Sequence, residues 1–166
     1  MDLQLKNVEF SERLSEETNA FAADVYFKGV KFATAKNDGQ GGSTFVAPLP
    51  NKKDMWDNAI KYASNLPDIV CDSVFSRGKA FTIKSTLESQ VDELFERWLI
   101  RKEIQKKSRK GIYYEKPDGT RMIMSFKGYT MAKLLKLPEG RFHLKKAVNE
   151  LKKEGNIILN TNLGSI

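Results

Sequence analysis

A chain of 166 residues that is 40% hydrophobic is long enough to bury one real core, and it needs no disulfide or metal to hold it. One cysteine and one histidine exclude an internal disulfide and the usual zinc ligand sets, and fit a reducing cytoplasm. The net charge of +7 is unevenly spread: residues 1–75 carry 8 Lys/Arg against 11 Asp/Glu, residues 76–166 carry 20 against 10, so the second half attracts phosphate-rich or acidic partners.

The apolar runs are too short to cross a membrane, so no membrane partner is expected. Met1-Asp2-Leu3-Gln4 lacks a basic and then apolar leader, which favours a cytoplasmic location.

In chain order, Leu3, Leu5 and Val8 or Phe10 punctuate a first strand. Phe21, Ala23, Val25 and Phe27 alternate along a second. Lys28-Gly29 turns the chain into a third strand, with Val30, Phe32 and Thr34 on one face and Ala33 and Ala35 on the other. Residues 43–47 add a further strand. Asn51 is read as the cap of a helix running to Asn65, with Met55, Ala59 and Ile60 inward, and Pro67 ends it. Residues 69–83 read as extended and irregular, with a turn at Arg77-Gly78.

Ser85-Thr86-Leu87-Glu88 has the form of a capping box opening a long helix near 85–108. Leu87, Val91, Leu94, Phe95, Trp98 and Leu99 repeat at helical spacing. Acids lead this helix and bases end it, as the helix dipole favours. Pro117-Asp118-Gly119 closes a second hairpin near 112–126. Thr130 caps a short helix. Pro138 opens the last one, with Phe142, Ala147, Val148 and Leu151 inward and Gly155 past its end. A short strand at 157–159 follows. The expected fold is α+β: a small antiparallel sheet with three to four helices in a single domain, 1–166, that is β-rich over 1–47 and helix and hairpin over 51–166.

Lys36-Asn37-Asp38-Gly39-Gln40-Gly41-Gly42-Ser43-Thr44 is the leading candidate for a ligand site. Successive backbone N–H groups in a glycine-rich turn carry partial positive charge without bulk, which suits an anion. The spacing is neither a Walker A loop nor a dinucleotide fingerprint. Arg77 or Arg109 would add charge to such a site, and Tyr113 an aromatic face for a base. A second candidate is the basic run Arg101–Lys110, which with the last helix would contact nucleic-acid phosphates. Neither a helix-turn-helix signature nor an RNA-binding sheet motif is evident beside it. His143 reads as a surface histidine and Cys71 as a small buried apolar group. Asn160-Thr161-Asn162 suits either a base or a sheet edge. With no nucleophile–base pair, catalysis is not expected, and neither is a cofactor.

Ser15–Phe21, Lys28-Gly29, Asn37–Thr44, Val91–Leu94 and Ile158–Asn162 together resemble a group of small proteins from phages and prophages of Bacteroides-like hosts. The resemblance implies a phage accessory protein acting against host defence. The leading expectation is therefore a non-enzymatic protein that sequesters a phosphorylated small molecule, such as a signalling or cyclic nucleotide. The alternatives are a nucleic-acid-binding module and an inhibitor docking on a host protein. Exposed sheet edges favour a homo-oligomer.

Overall fold

The computed structural model describes residues 2–71 and 81–164. Its architecture is α+β, with a four-stranded antiparallel sheet, two smaller sheets and four α-helices. The chain forms two compact units, Met1–Arg97 and Trp98–Ile166.

In the first unit, β1 (Leu3–Ser11), β2 (Ala20–Phe27), β3 (Val30–Asn37) and β4 (Phe45–Pro48) pair in sequence order. Lys28 and Gly29 both have positive φ, as a two-residue hairpin turn demands. Phe21, Ala23, Val25 and Phe27 are all buried, as their alternation requires. The third strand departs from simple alternation. The register slips between Val25 and Tyr26, so the bulge buries the consecutive residues Phe32 and Ala33 while Val30 and Thr34 face outward.

Helix α1 (Lys53–Ser64) turns Ala59 and Ala63 inward and leaves Ile60 exposed. Its Trp56 and Tyr62 lie against Phe32 and Phe27. Strands β5 (Ile69–Cys71) and β6 (Phe81–Ile83) pair with each other, in a stretch expected to be extended and irregular. Helix α2 (Leu87–Ser108) packs Leu87, Val91 and Phe95 inward, and Phe95 stacks on Phe21 with centroids 3.9 Å apart. Its capping box lies one residue later than expected. Thr86 Oγ1 accepts from the Ser89 N–H at 3.2 Å, and Ser89 Oγ accepts from the Thr86 N–H at 2.8 Å. Ser85 is instead buried, donating to the Ala63 carbonyl at 2.6 Å.

In the second unit, β7 (Ile112–Glu115) lies between β8 (Arg121–Met124) and β9 (Ile157–Ile158). Helix α3 (Met131–Lys136) is capped by Thr130, whose side chain accepts from the Lys133 N–H. Helix α4 (Pro138–Lys153) follows after the single residue Leu137. Ile112, Met131, Leu134, Leu144, Val148 and Leu151 form this unit's core. Gly140 permits the tight corner: a Cβ there would strike the Leu134 carbonyl and come within 2.8 Å of its Cα. Phe142, expected inward, is 66% exposed.

Candidate functional site

The glycine loop joins β3 to β4, and its polar groups are largely engaged within the first unit. The Gly39 carbonyl accepts from the N–H groups of Glu16, Glu17 and Thr18 at 2.9, 3.0 and 3.2 Å. The Gly39 N–H donates to Asn37 Oδ1 at 2.9 Å, and the Gly41 N–H to Thr18 Oγ1 at 3.3 Å. Asn37 Nδ2 donates to the Gly42 carbonyl and to Thr44 Oγ1. Thr44 is buried, and its hydroxyl donates to the Asp92 carboxylate. Gly39, at φ +85°, sits so close to the acidic loop that a Cβ would collide with the Leu14 carbonyl and approach the Ala20 Cβ to 2.9 Å. Close packing thus accounts for that glycine.

Charge is balanced in the same way. Lys36 Nζ pairs with Asp38 at 2.6 Å. A Cβ on Gly41 would meet the Glu17 carboxylate, so an acid stands beside the expected anion nest. Burial raises the Asp92 carboxyl above the usual carboxylate range; the Thr44 hydrogen bond opposes the shift, and Glu96 and Glu88 add to it. What remains open is a concavity of about 460 Å³ lined by Lys36, Asn37, Asp38, Gln40, Gly42, Ser43 and Phe45. Phe45 is 70% exposed there. The Gln40 and Gly42 N–H groups donate to no described residue.

The structure thus brings residues 36–44 together in one loop. Arg77 lies outside the described residues. Arg109 and Tyr113 belong to the second unit. Tyr113 is corrected outright as a stacking aromatic. It is 3% exposed and its hydroxyl donates to Glu103 at 3.2 Å; burial, with the Glu103 charge, raises its phenol above the usual range. The asparagine tail belongs to the framework. Asn160 Oδ1 accepts from the Tyr113 N–H at 2.6 Å, its Nδ2 donates to the Gly111 carbonyl at 3.1 Å, and Asn162 Nδ2 donates to the Ser108 carbonyl at 3.1 Å. These amides satisfy backbone groups left free where α2 ends and β7 begins.

The second unit carries 16 Lys/Arg against 6 Asp/Glu, a net +10. Residues Arg101, Lys102, Lys106, Arg109 and Lys110 are exposed around the end of α2, where the helix dipole favours positive charge. Helix α4 is different. Gly140, Leu144, Val148 and Leu151 fix its buried face. At about 100° per residue, the exposed side opposite carries Arg141, Lys152, Lys145, Pro138, Asn149, Phe142, Lys153 and Lys146 in angular order, over an arc of about 140°. Glu139, Glu150 and Glu154 all fall on the remaining flank. None of the five cations is ion-paired with a described residue. Arg141 Nε donates to the Leu135 carbonyl at 2.6 Å, tying α4 to the end of α3.

Of the four residues expected inward, Val148 and Leu151 are buried and Ala147 packs against the core; Phe142 alone lies on the opposite side, about 160° from Leu144. The signal for its outward position was present in the spacing of Gly140, Leu144, Val148 and Leu151. Among the described residues no cluster of His, Cys, Asp and Glu suits a metal ion, and no helix is long and apolar enough to cross a membrane. No protein-family model, curated protein or solved structure matches this chain.

Proposed function

We propose that the second unit is a non-enzymatic nucleic-acid-binding module whose contact surface is the exposed arc of α4. The observation that carries this reading is the cluster of Arg141, Lys145, Lys146, Lys152 and Lys153 on one exposed side with no acid among them. Local helix electrostatics do not account for it. Lys152 and Lys153 stand at the C-terminal end, where the dipole welcomes a cation. Arg141 stands in the first turn, where the dipole opposes one. Lys145 and Lys146 lie mid-helix. Arg141, Lys145 and Lys152 have no acid three or four residues away on the helix, and Glu150 alone lies at that spacing from Lys146 and Lys153. The excess of like charge repels itself, and an external polyanion relieves that repulsion while releasing its own condensed counterions.

The test is fluorescence anisotropy of the full chain with mixed-sequence nucleic acid across a salt series. Affinity is expected to fall linearly on a log–log plot with a slope of about −0.9 per neutralised phosphate. Reversing Lys145 and Lys152 together to Glu is expected to weaken binding by roughly a hundredfold. Affinity insensitive to that reversal, or absent at about 50 mM salt, overturns the reading.

A second reading, capture of a phosphorylated small molecule such as a nucleotide by the first unit, is favoured by one observation. The uncommitted Gln40 and Gly42 N–H groups and the exposed ring of Phe45 share one concavity. A phosphate on the N–H groups and a base against Phe45 would use both. Native mass spectrometry of the gently purified protein is expected to show added mass of nucleotide size. Gly42→Val, whose Cβ meets nothing within 4 Å, is expected to abolish it without unfolding the unit. A retained ligand in that variant excludes the loop.

A further inference from the structure

Resting on the nucleic-acid reading of the second unit, we infer that the polymer is duplex DNA, with α4 lying in its major groove and Asn149 and Phe142 facing the base edges. The inference comes from the order of residues across the arc rather than from its charge alone. Taking Leu144 as the inward direction, Arg141, Lys152 and Lys145 lie at about 60–100°, Lys153 and Lys146 at about 180–200°, and Asn149 and Phe142 between them at about 140–160°. All seven are exposed. Exposed Pro138, at about 120°, shares the neutral middle with Asn149 and Phe142, cations line both edges, and Glu139 and Glu150 follow beyond Lys146 at about 220–240°. A helix lying in a groove needs this layout, because the two phosphate strands pass on either side and the bases lie beneath.

The dimensions agree. Helix α4 has 16 residues, a length of about 24 Å at 1.5 Å per residue. Its diameter with side chains, about 10–12 Å, fits the roughly 12 Å major groove of B-form DNA. The major groove of an RNA duplex is too deep and narrow for side chains to read. A single-strand binder stacks successive bases on several aromatic faces; of the exposed aromatics among the described residues of this unit, Phe142 and Tyr129, only Phe142 lies on the arc.

The two central residues also indicate what is read. An asparagine amide pairs its donor and acceptor with N7 and N6 of adenine, and an apolar ring lies well against the methyl group of thymine. The residues are seven apart, about 10 Å along the axis, or roughly three base steps at 3.4 Å. Arg141, tied to the Leu135 carbonyl, is a positioning residue that fixes how α4 is presented.

The experiment uses the full chain and three fluorescent probes of one sequence containing A·T steps: a 20-base-pair DNA duplex, the matching RNA duplex and one DNA strand, with an all-G·C DNA duplex as a fourth probe. The A·T-containing DNA duplex is expected to bind roughly tenfold more tightly than either the RNA duplex or the single strand. It is also expected to bind roughly tenfold more tightly than the all-G·C duplex. Asn149→Ala with Phe142→Ala is expected to remove the preference over the G·C duplex while leaving the salt slope unchanged. Methylation of guanine N7, a major-groove atom, is expected to be blocked in the complex. Equal binding of DNA and RNA duplexes, or unblocked N7, overturns the groove inference and leaves the nucleic-acid reading standing. Persistence of the A·T preference in the double variant overturns the role given to Asn149 and Phe142. No binding to any probe overturns both the inference and the reading it rests on.

Discussion

The loop at residues 36–44 and the last helix make opposite use of the same kind of excess. Both hold more of one residue type than a turn or a solvated helix needs: glycine in the loop, lysine and arginine in the helix. In the loop, packing consumes most of the excess. Gly39 admits the Leu14 carbonyl, its own carbonyl collects three N–H groups, and Lys36 is paired with Asp38. In α4, packing consumes Gly140, Leu144, Val148 and Leu151 and leaves every cation without an ionic partner among the described residues. A compositional excess points outward only after the groups used by the fold have been subtracted.

The largest effect that sharpens this comparison is in the loop. Gly39→Ala forces a side chain into φ +85° and against the Leu14 carbonyl, which is backbone and cannot swing aside. It is expected to destabilise the first unit by roughly 3 kcal/mol. Gly42→Ala has open space around its Cβ and is expected to change stability by less than about 0.5 kcal/mol. Urea denaturation checks both. Equal, small losses would mean that packing does not explain the glycines, and would return the whole loop to the candidate binding surface.

The next effect compares the two basic segments. Lys145→Glu with Lys152→Glu removes charge from the acid-free arc, whereas Lys106→Glu with Lys107→Glu removes charge from a helix end that the dipole already accounts for. The first pair is expected to weaken DNA binding roughly a hundredfold and the second only several-fold. The same anisotropy titration reads both. The reverse ranking would move the contact surface to α2.

Local signals in the sequence were reliable where the determinant was local. The alternation from Phe21 to Phe27, the Lys28-Gly29 and Pro117-Asp118-Gly119 turns, the Thr130 cap and Pro138 at the start of α4 each act over a few residues. What was not legible depended on distant partners. The bulge burying both Phe32 and Ala33 follows from pairing with β2. The inward turn of Tyr113 follows from its position on the central strand and its bond to Glu103. The commitment of Gly39 depends on Glu16, Glu17 and Thr18, more than 20 residues away. Phe142 was misplaced because hydrophobicity alone was taken to mean burial, while four smaller residues already filled the inward face.

The smallest effect lies at the floor of the loop and is read as a slope. Asp92 is half-buried, accepts the Thr44 hydroxyl and has Glu88 and Glu96 nearby on the same helix, so its carboxyl is shifted upward, chiefly by burial. A raised carboxyl binds its proton more tightly in the folded chain than in the unfolded one. Its contribution therefore favours folding below the ordinary value of 3.8 and is lost as pH rises through the folded value. Asp92→Asn keeps an oxygen for the Thr44 hydroxyl and removes the charge. The variant is expected to be the more stable protein at neutral pH, with an advantage that shrinks on acidification toward about pH 4. Urea midpoints of both proteins at a series of pH values measure that difference directly, cancelling the carboxylates they share. A difference independent of pH would show that the Asp92 carboxylate is not penalised by burial, and that the floor of the loop is as well solvated as its rim.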